Sequence, residues 1–173
     1  MTALVLREAT AADAEAIAAA EHRTAETPGL LNALPGEIPV AAFRDKILQM
    51  AASERGLYLV AERDGQVIGH LLLDPLPLAL NAHVVSLNIV VHPGATDRGI
   101  GRRMLDHAVA WARENPLVEK IELRVRAGND RAIHLYESFG FVEEGRLRRR
   151  LKLADGTYID DIEMGLFVEG DTQ

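Results

Sequence analysis

Apolar and polar residues change their spacing along the chain in a way that predicts alternating strands and helices. Leu4 and Leu6 indicate a short first strand, and Thr10 then occupies the N-cap position of a helix. Apolar spacing predicts a second helix near residues 40–52. Residues 24–39 between the helices contain three prolines and two glycines, which break regular structure. This segment is either a connector packed on the core or the wall of a pocket.

Two hairpins are predicted from dipeptides that readily adopt positive φ angles. Asp64-Gly65 separates two strand-like runs, and Asp155-Gly156 separates two more near the end of the chain. A valine-rich run over residues 83–92 predicts another strand, which Pro93 should end.

The middle of the chain has the pattern of a strand-helix-strand crossover. Apolar residues repeat at helical spacing over 100–112 and stop at Asn115-Pro116. A fifth strand follows over 121–127, and Asn129 should cap a short helix that ends at Gly140. The element order therefore predicts antiparallel hairpins at both ends and one β-α-β unit between them.

Composition narrows the class of protein. The length of 173 residues suits one domain over residues 1–173, and 48% hydrophobic with 26% charged residues is typical of a globular chain. Without a spanning segment or a secretory pattern, a cytoplasmic location and no membrane partner are expected. The net charge of −7 argues against nucleic-acid binding, and the absence of cysteine with scattered histidines argues against a metal site.

The stretch VVHPGATDRGIGRRML, residues 90–105, passes from a strand through a glycine-bearing turn into a helix. A helix N-terminus presents unpaired N–H groups, so this turn suits a phosphate. The sequence lacks the Gly-Lys-Ser/Thr of a Walker loop, and Met104 stands where a dinucleotide fingerprint needs its third glycine. A nucleotide-binding protein with an unusual glycine turn stays open as an alternative.

Together with NDRAIHLYESFGF at residues 129–141, this stretch resembles the GNAT superfamily of acyl-CoA-dependent N-acyltransferases. The resemblance is strong over residues 87–141. It implies a mixed α/β fold with a mostly antiparallel seven-stranded sheet, flanked by about four helices. Acetyl-CoA is then the implied donor, and the implied reaction is direct transfer of its acetyl group to a primary amine of a small molecule or protein N-terminus.

The resemblance also implies which residues form the site. Tyr136 would donate a proton toward the sulfur, and the backbone N–H of Val90 or Val91 would polarise the carbonyl. The implied cofactor-binding residues are Ile89, Val90, Val91, Arg98, Gly99, Ile100, Gly101, Arg102, Arg103 and Asn129. Taken without the resemblance, Tyr136 would be a core aromatic and Asn129 a helix cap.

Two positions depart from the family pattern. Thr96 replaces the usual glutamine or arginine of the phosphate motif, and Asn88 replaces an acid that often lies in the fourth strand. Asparagine cannot act as a general base. A catalytically silent CoA-binding regulatory module is therefore the alternative function.

The last strand supplies a candidate for the missing base. Asp160 shares the parity of apolar residues such as Ile162 and Met164, so it is predicted to be a base, an amine anchor or a structural acceptor. Asp161 and Glu163 have the opposite parity and are expected to face solvent.

A basic stripe precedes this strand. Alternation predicts that Arg146, Arg148, Arg150 and Lys152 share one strand face, as a solvated edge or as the mouth of the acceptor site. The sequence does not specify the acceptor, and it leaves homodimer formation open.

Overall fold

The computed structural model of the chain describes residues 3–96 and 99–168. The strands within these ranges are β1 (Val5–Glu8), β2 (Leu57–Arg63), β3 (Gln66–Pro75), β4 (Val84–Val91), β5 (Lys120–Arg126), β6 (Val142–Lys152) and β7 (Tyr158–Phe167). The helices are α1 (Ala14–Ala25), α2 (Val40–Ala51), α3 (Ile100–Glu114) and α4 (Asp130–Glu137). In the described ranges, none of the helices is both long and apolar enough to cross a membrane.

All seven strands form one sheet in the order β1-β2-β3-β4-β5-β7-β6. Every neighbouring pair is antiparallel except β4 and β5, which are joined by α3 and run parallel. The predicted mixed, mostly antiparallel sheet with four flanking helices is therefore confirmed. The β4–β5 pairing covers only residues 84–86 and 120–122, so the strands part beyond that point.

The two faces of the sheet bury different helices. In β2, Leu57 and Leu59 belong to the larger core, which also contains buried residues of α3 and Tyr136 of α4. Tyr58 and Val60 have the opposite parity and pack in a second core with residues of α1 and α2. The segment that joins α1 to α2 therefore lies on the face opposite α3.

Both predicted hairpin turns are present. Asp64 and Gly65 have φ angles of 53° and 74°, and Gly156 has a φ angle of 86°. These left-handed conformations explain why each turn carries an Asp-Gly dipeptide.

The prediction that Arg146, Arg148, Arg150 and Lys152 share one strand face by strict alternation was wrong. A bulge interrupts the β6–β7 pairing between Leu147 and Leu151, and Arg149 within it has a φ angle of 54°. Two extra residues in β6 break the alternation of arginines, although Leu147 and Leu151 keep a common face. As the sheet order places β6 at an edge, the exposed arginines form a solvated border.

Candidate active site

The N-terminus of α3 is open toward the parted strands. Gly99 is its N-cap with a φ angle of 69° and has no side chain with which to cap the first-turn amides. A Cβ on Gly101 would lie 3.5 Å from Val91 Cγ2, so the helix begins directly against the end of β4. Ile100 is buried and anchors the first turn in the core. A helix start whose N-cap has no capping side chain, together with the helix dipole, favours an anion at this point.

The arginines predicted around this turn have different surroundings. Arg102 donates from Nη2 to Ser138 Oγ at 3.0 Å and lies over the Phe139 ring at 5.3 Å. Arg103 is exposed. Arg98 lies outside the described residues, as does Asp97. The first turn of α3 is thus tied to the end of α4 through Arg102.

The backbone of β4 presents N–H groups to the opening. The amide of His92 donates to Ile68 O at 3.0 Å on the β3 side, while His83 O accepts from Glu119 N at 2.9 Å on the β5 side. Because backbone groups alternate in direction along a strand, Val90 N–H points toward β3, and the amides of Ile89 and Val91 point toward β5. The strands have parted there, so Val91 is the better placed of the two residues predicted to polarise a carbonyl.

Helix α4 brings Tyr136 to the same region. Tyr136 is 8% exposed and packs edge-on against Phe141 with ring centroids 5.8 Å apart. Burial raises the pKa of Tyr136 to about 12, so its hydroxyl is protonated at neutral pH and is a donor. Asn129 Oδ1 accepts from Ala132 N at 3.2 Å, which confirms the predicted cap.

A cavity of about 840 Å³ lies beside α4 and the end of β4, whereas Val91 and residues 99–103 are not among the residues that line it. It extends from the parted strands across the sheet face that α1 and α2 cover. The predicted site residues that line it are Ile89, Val90, Asn129 and Tyr136. The wall also includes Leu30, Leu31, Asn32 and Ala33, so the segment between α1 and α2 forms part of the pocket and is more than a connector.

A buried ion pair holds this segment on the sheet. Arg126 hydrogen-bonds Asp161 and also donates to Gly29 O at 2.8 Å and to Asn32 Oδ1 at 2.6 Å. Asp161 is fully buried, so the expectation that it faces solvent was wrong. Strand parity assigned its face correctly, but that face is covered by the segment between α1 and α2. This burial depends on contacts between residues distant in sequence, so strand parity alone could not predict it.

Asp160 lies in the bulge region of β6 and β7. Its carboxylate accepts from Arg149 N at 2.7 Å and from Arg146 Nε at 2.9 Å. The backbone hydrogen bond from Arg149, followed by that from Arg146, lowers the pKa of Asp160. Asp160 is not among the residues that line the large cavity. The structural hydrogen bonds are therefore present, and its catalytic role stays a prediction.

Sequence reasoning missed a polar chain that reaches the cavity from inside the protein. His70 Nε2 lies 3.0 Å from Glu21 Oε1, and His70 Nδ1 lies 2.9 Å from His92 Nε2. Glu21 and His70 line the cavity. One signal was available: His70 is a titratable residue inside the apolar run of β3, where an unpaired polar group is costly.

No cluster of three or more histidine and acidic residues in the described ranges could hold a metal ion. The main-chain amides at α3 and β4 instead suit a pyrophosphate and a thioester carbonyl. The glycine turn leaves room for the former, since a Cβ at Gly99 would meet no atom of the described residues within 4 Å, its chain neighbours apart.

The sequence profile of the Acetyltransferase (GNAT) family matches residues 17–141. The chain belongs to this family. Membership confirms the predicted family and supports an acetyl-CoA-dependent N-acetyltransferase over the silent module. The matched range includes both motifs on which the prediction depended.

Individual relatives agree with the family. The L-amino acid N-acetyltransferase AaaT of Escherichia coli is 35% identical over 106 residues, which cover 59% of this chain and 62% of that protein. The N-alpha-acetyltransferase RimI of Mycobacterium tuberculosis is 34% identical over 122 residues, or 68% and 69% of the two chains. A GNAT-family acetyltransferase structure from Streptococcus pneumoniae superposes with a TM-score of 0.88 at 26% identity, covering 95% of this chain and 99% of that one.

Proposed function

We propose that the protein transfers the acetyl group of acetyl-CoA to the α-amino group of a free amino acid or of a peptide N-terminus. The observation that carries this proposal is the shared cavity. It brings the end of β4, the N-cap of α4 and the Tyr136 side chain together beside the α1–α2 segment.

The donor would bind where α3 begins. Its pyrophosphate would accept from the amides that follow Gly99, at Ile100 and Gly101, with Arg102 and Arg103 adding positive charge. Arg98 is a further predicted contact outside the described residues. The acyl end would lie along Ile89 to Val91, where the Val91 N–H is free to stabilise negative charge that develops on the carbonyl oxygen.

Proton transfer completes the reaction. An acceptor ammonium group must lose a proton before its nitrogen can attack, and the departing thiolate must gain one. Tyr136 is protonated at neutral pH, which makes it the proposed proton donor to the sulfur. Asp160 and the Glu21–His70 pair are the two candidates for the proton acceptor.

The α-amino acceptor is inferred from the relatives and from the lining of the cavity. The two curated relatives above are named for L-amino acids and for an N-alpha position. Both substrate classes present an ammonium group next to a carbonyl or carboxylate. The cavity wall carries Glu21, the Arg124–Glu163 ion pair and Lys46, which is paired with Asp74, so groups with both signs of charge surround such a substrate.

The test is release of free CoA thiol from acetyl-CoA with a panel of amines. The proposal expects turnover with L-amino acids or with dipeptides that have a free N-terminus. Dipeptides with an acetylated N-terminus are the matched control, and spermidine tests amines that lack an α-carbonyl. Binding of acetyl-CoA without thiol release from any amine would instead support the silent module, and preference for ATP over CoA in calorimetry would support the nucleotide-binding alternative.

A further inference from the structure

Three polar side chains form a continuous chain from the cavity into the protein interior. Glu21 on α1 contacts His70 on β3, which contacts His92 at the end of β4. The far end is anchored where His92 Nδ1 lies 3.0 Å from Val67 O. His70 and His92 are only 3% and 4% exposed, so their mutual hydrogen bond is shielded from water, whereas Glu21 is partly exposed where the chain reaches the cavity.

The geometry determines where the protons lie. A carbonyl oxygen only accepts, so His92 must carry a proton on Nδ1. Burial, with a further contribution from His70, lowers the pKa of His92 to about 4, so His92 is neutral and its Nε2 is an acceptor. His70 Nδ1 must therefore carry a proton and donate to His92.

The remaining contact, between His70 Nε2 and Glu21 Oε1, is then occupied by one proton that the two groups share. At 3.0 Å it is a hydrogen bond, either from an imidazolium to a carboxylate or from a carboxylic acid to an imidazole. Because His92 orients the other side of the His70 ring, this shared position is where the pair can gain or lose a proton.

Other ionisable groups around the pair do not compete for this role. Tyr58 faces it from β2, and burial raises the pKa of Tyr58 so that its hydroxyl stays protonated. Arg23 on α1 contributes positive charge near His92. Lys46 of α2 is occupied by Asp74 at 2.7 Å.

The pair lies beside the proposed reaction centre. His70 is the direct cross-strand partner of Val90, and side chains at such positions share a face of the sheet. Asn88 cannot accept a proton, and Tyr136 is a donor at neutral pH. We propose that the Glu21–His70 pair, oriented by His92, is the general base that removes a proton from the acceptor ammonium group.

This assignment rests on the proposed function, and its proton balance closes. The active pair has lost its shared proton to solvent and consists of a Glu21 carboxylate and a neutral His70. It takes one proton from the ammonium group, which restores the arrangement in the structure. As the carbon–sulfur bond breaks, Tyr136 gives its proton to the CoA sulfur. Of the two hydrogens left on the amine nitrogen, one replaces the proton that Tyr136 has lost and one stays on the amide. The pair then returns its proton to water.

Replacement of Glu21 tests the assignment. In Glu21→Gln the amide oxygen can still accept from His70, so the fold should be retained. The value of kcat/KM at neutral pH should fall about 100-fold, within the usual range for loss of a general base. Its pH profile should also lose the inflection that belongs to the pair and keep only that of the substrate amine. Glu26→Gln is the matched control, as Glu26 is an exposed glutamate at the C-terminal end of the same helix.

A measurement on the wild-type protein tests the protonation states without any variant. Two-dimensional ¹H–¹⁵N spectra of the imidazole rings should show His92 as the Nδ1–H form across neutral and mildly alkaline pH. They should show His70 losing its Nε2 proton over the pH range in which kcat/KM rises. A bare His92 Nδ1, or a His70 that does not titrate with activity, would overturn the assignment.

The outcomes separate this assignment from the proposed function. A wild-type protein that releases thiol, combined with an unchanged rate and pH profile in Glu21→Gln, contradicts the general-base role alone. A wild-type protein that releases no thiol with any amine contradicts the proposed function and the assignment together.

Discussion

The two sides of the cavity are built in different ways. The proposed donor side consists of helix α4 and the end of β4 in the cavity wall, with the start of α3 packed against that end of β4, and its main-chain amides come from one strand-turn-helix segment. The acceptor side consists of α1, the α1–α2 segment, His70 and the Arg126–Asp161 pair, which are side chains from four distant parts of the chain. Local geometry therefore forms the donor side, whereas long-range packing forms the acceptor side.

This difference also separates the electrostatics of the two sides. The proposed donor side offers main-chain dipoles, a protonated phenol and the arginines of the first turn of α3, so its properties depend largely on backbone conformation and burial. The acceptor side holds carboxylates, imidazoles and guanidinium groups in mutual contact. Removal of one partner from such a contact costs more folding free energy, because the other partner is left buried and unpaired.

The largest expected effect is on stability, from Arg126→Leu on the acceptor side. It leaves the Asp161 carboxylate buried without its partner, which costs about 3–5 kcal/mol. It also releases the segment that contains Gly29 and Asn32, so KM for the acceptor should rise. Urea denaturation measures the stability change.

The control is the neighbouring variant Arg124→Leu, which removes an exposed pair with Glu163 and should cost less than about 1 kcal/mol. Replacement of Asp161 by leucine in the Arg126→Leu background should recover much of the lost stability. If Arg126→Leu and Arg124→Leu lowered the free energy of unfolding equally, the distinction between a buried and an exposed ion pair would be contradicted.

The next effect belongs to the donor side. In Tyr136→Phe the ring still packs on Phe141, but the proton donor is lost, so kcat should fall about 100-fold, or roughly 2.7 kcal/mol in the barrier. Affinity for CoA, measured by calorimetry, should change little. Tyr158→Phe, at an exposed tyrosine of β7, should leave kcat unchanged. An undiminished rate in Tyr136→Phe would remove Tyr136 from its proposed role.

A smaller effect is expected from Gly99→Ala, which tests whether the donor side depends on backbone conformation. An alanine at a φ angle of 69° is strained by about 1–2 kcal/mol, which should disturb the first turn of α3 and weaken CoA binding about tenfold. Gly156→Ala is the matched control, since Gly156 also has a positive φ angle and open space around it but lies in the distant β6–β7 turn. It should lose similar stability and keep its CoA affinity. Equal affinity losses would argue against a specific site at Gly99.

The smallest effect should come from Asp160→Asn. The amide oxygen can still accept from Arg149 N, and the Glu21–His70 pair is untouched, so kcat/KM should change less than about threefold. Steady-state kinetics would decide between the two candidate bases. A loss near 100-fold in Asp160→Asn would return the general-base role to Asp160.

The sequence by itself determined the order of elements, both Asp-Gly turns, the Asn129 cap and the glycine turn before α3. Each of these depends on the conformational preference of one or two residues or on a short period of apolar positions, so a local pattern suffices. The family motifs added the proposed donor side, because its main-chain amides lie within one strand-turn-helix segment and Tyr136 lies in a second short motif.

Only the tertiary structure decided the acceptor side. Parity assigned Asp161 to the correct face of β7 but could not show that the α1–α2 segment covers this face and that Arg126 pairs with it. Likewise, no local pattern joins Glu21 to His70 and His92, because a hydrogen bond between distant residues forms only after the strands and helices have packed. Side-chain contacts across the sheet form when the whole core is buried, and they produce no repeating pattern of residues along the sequence.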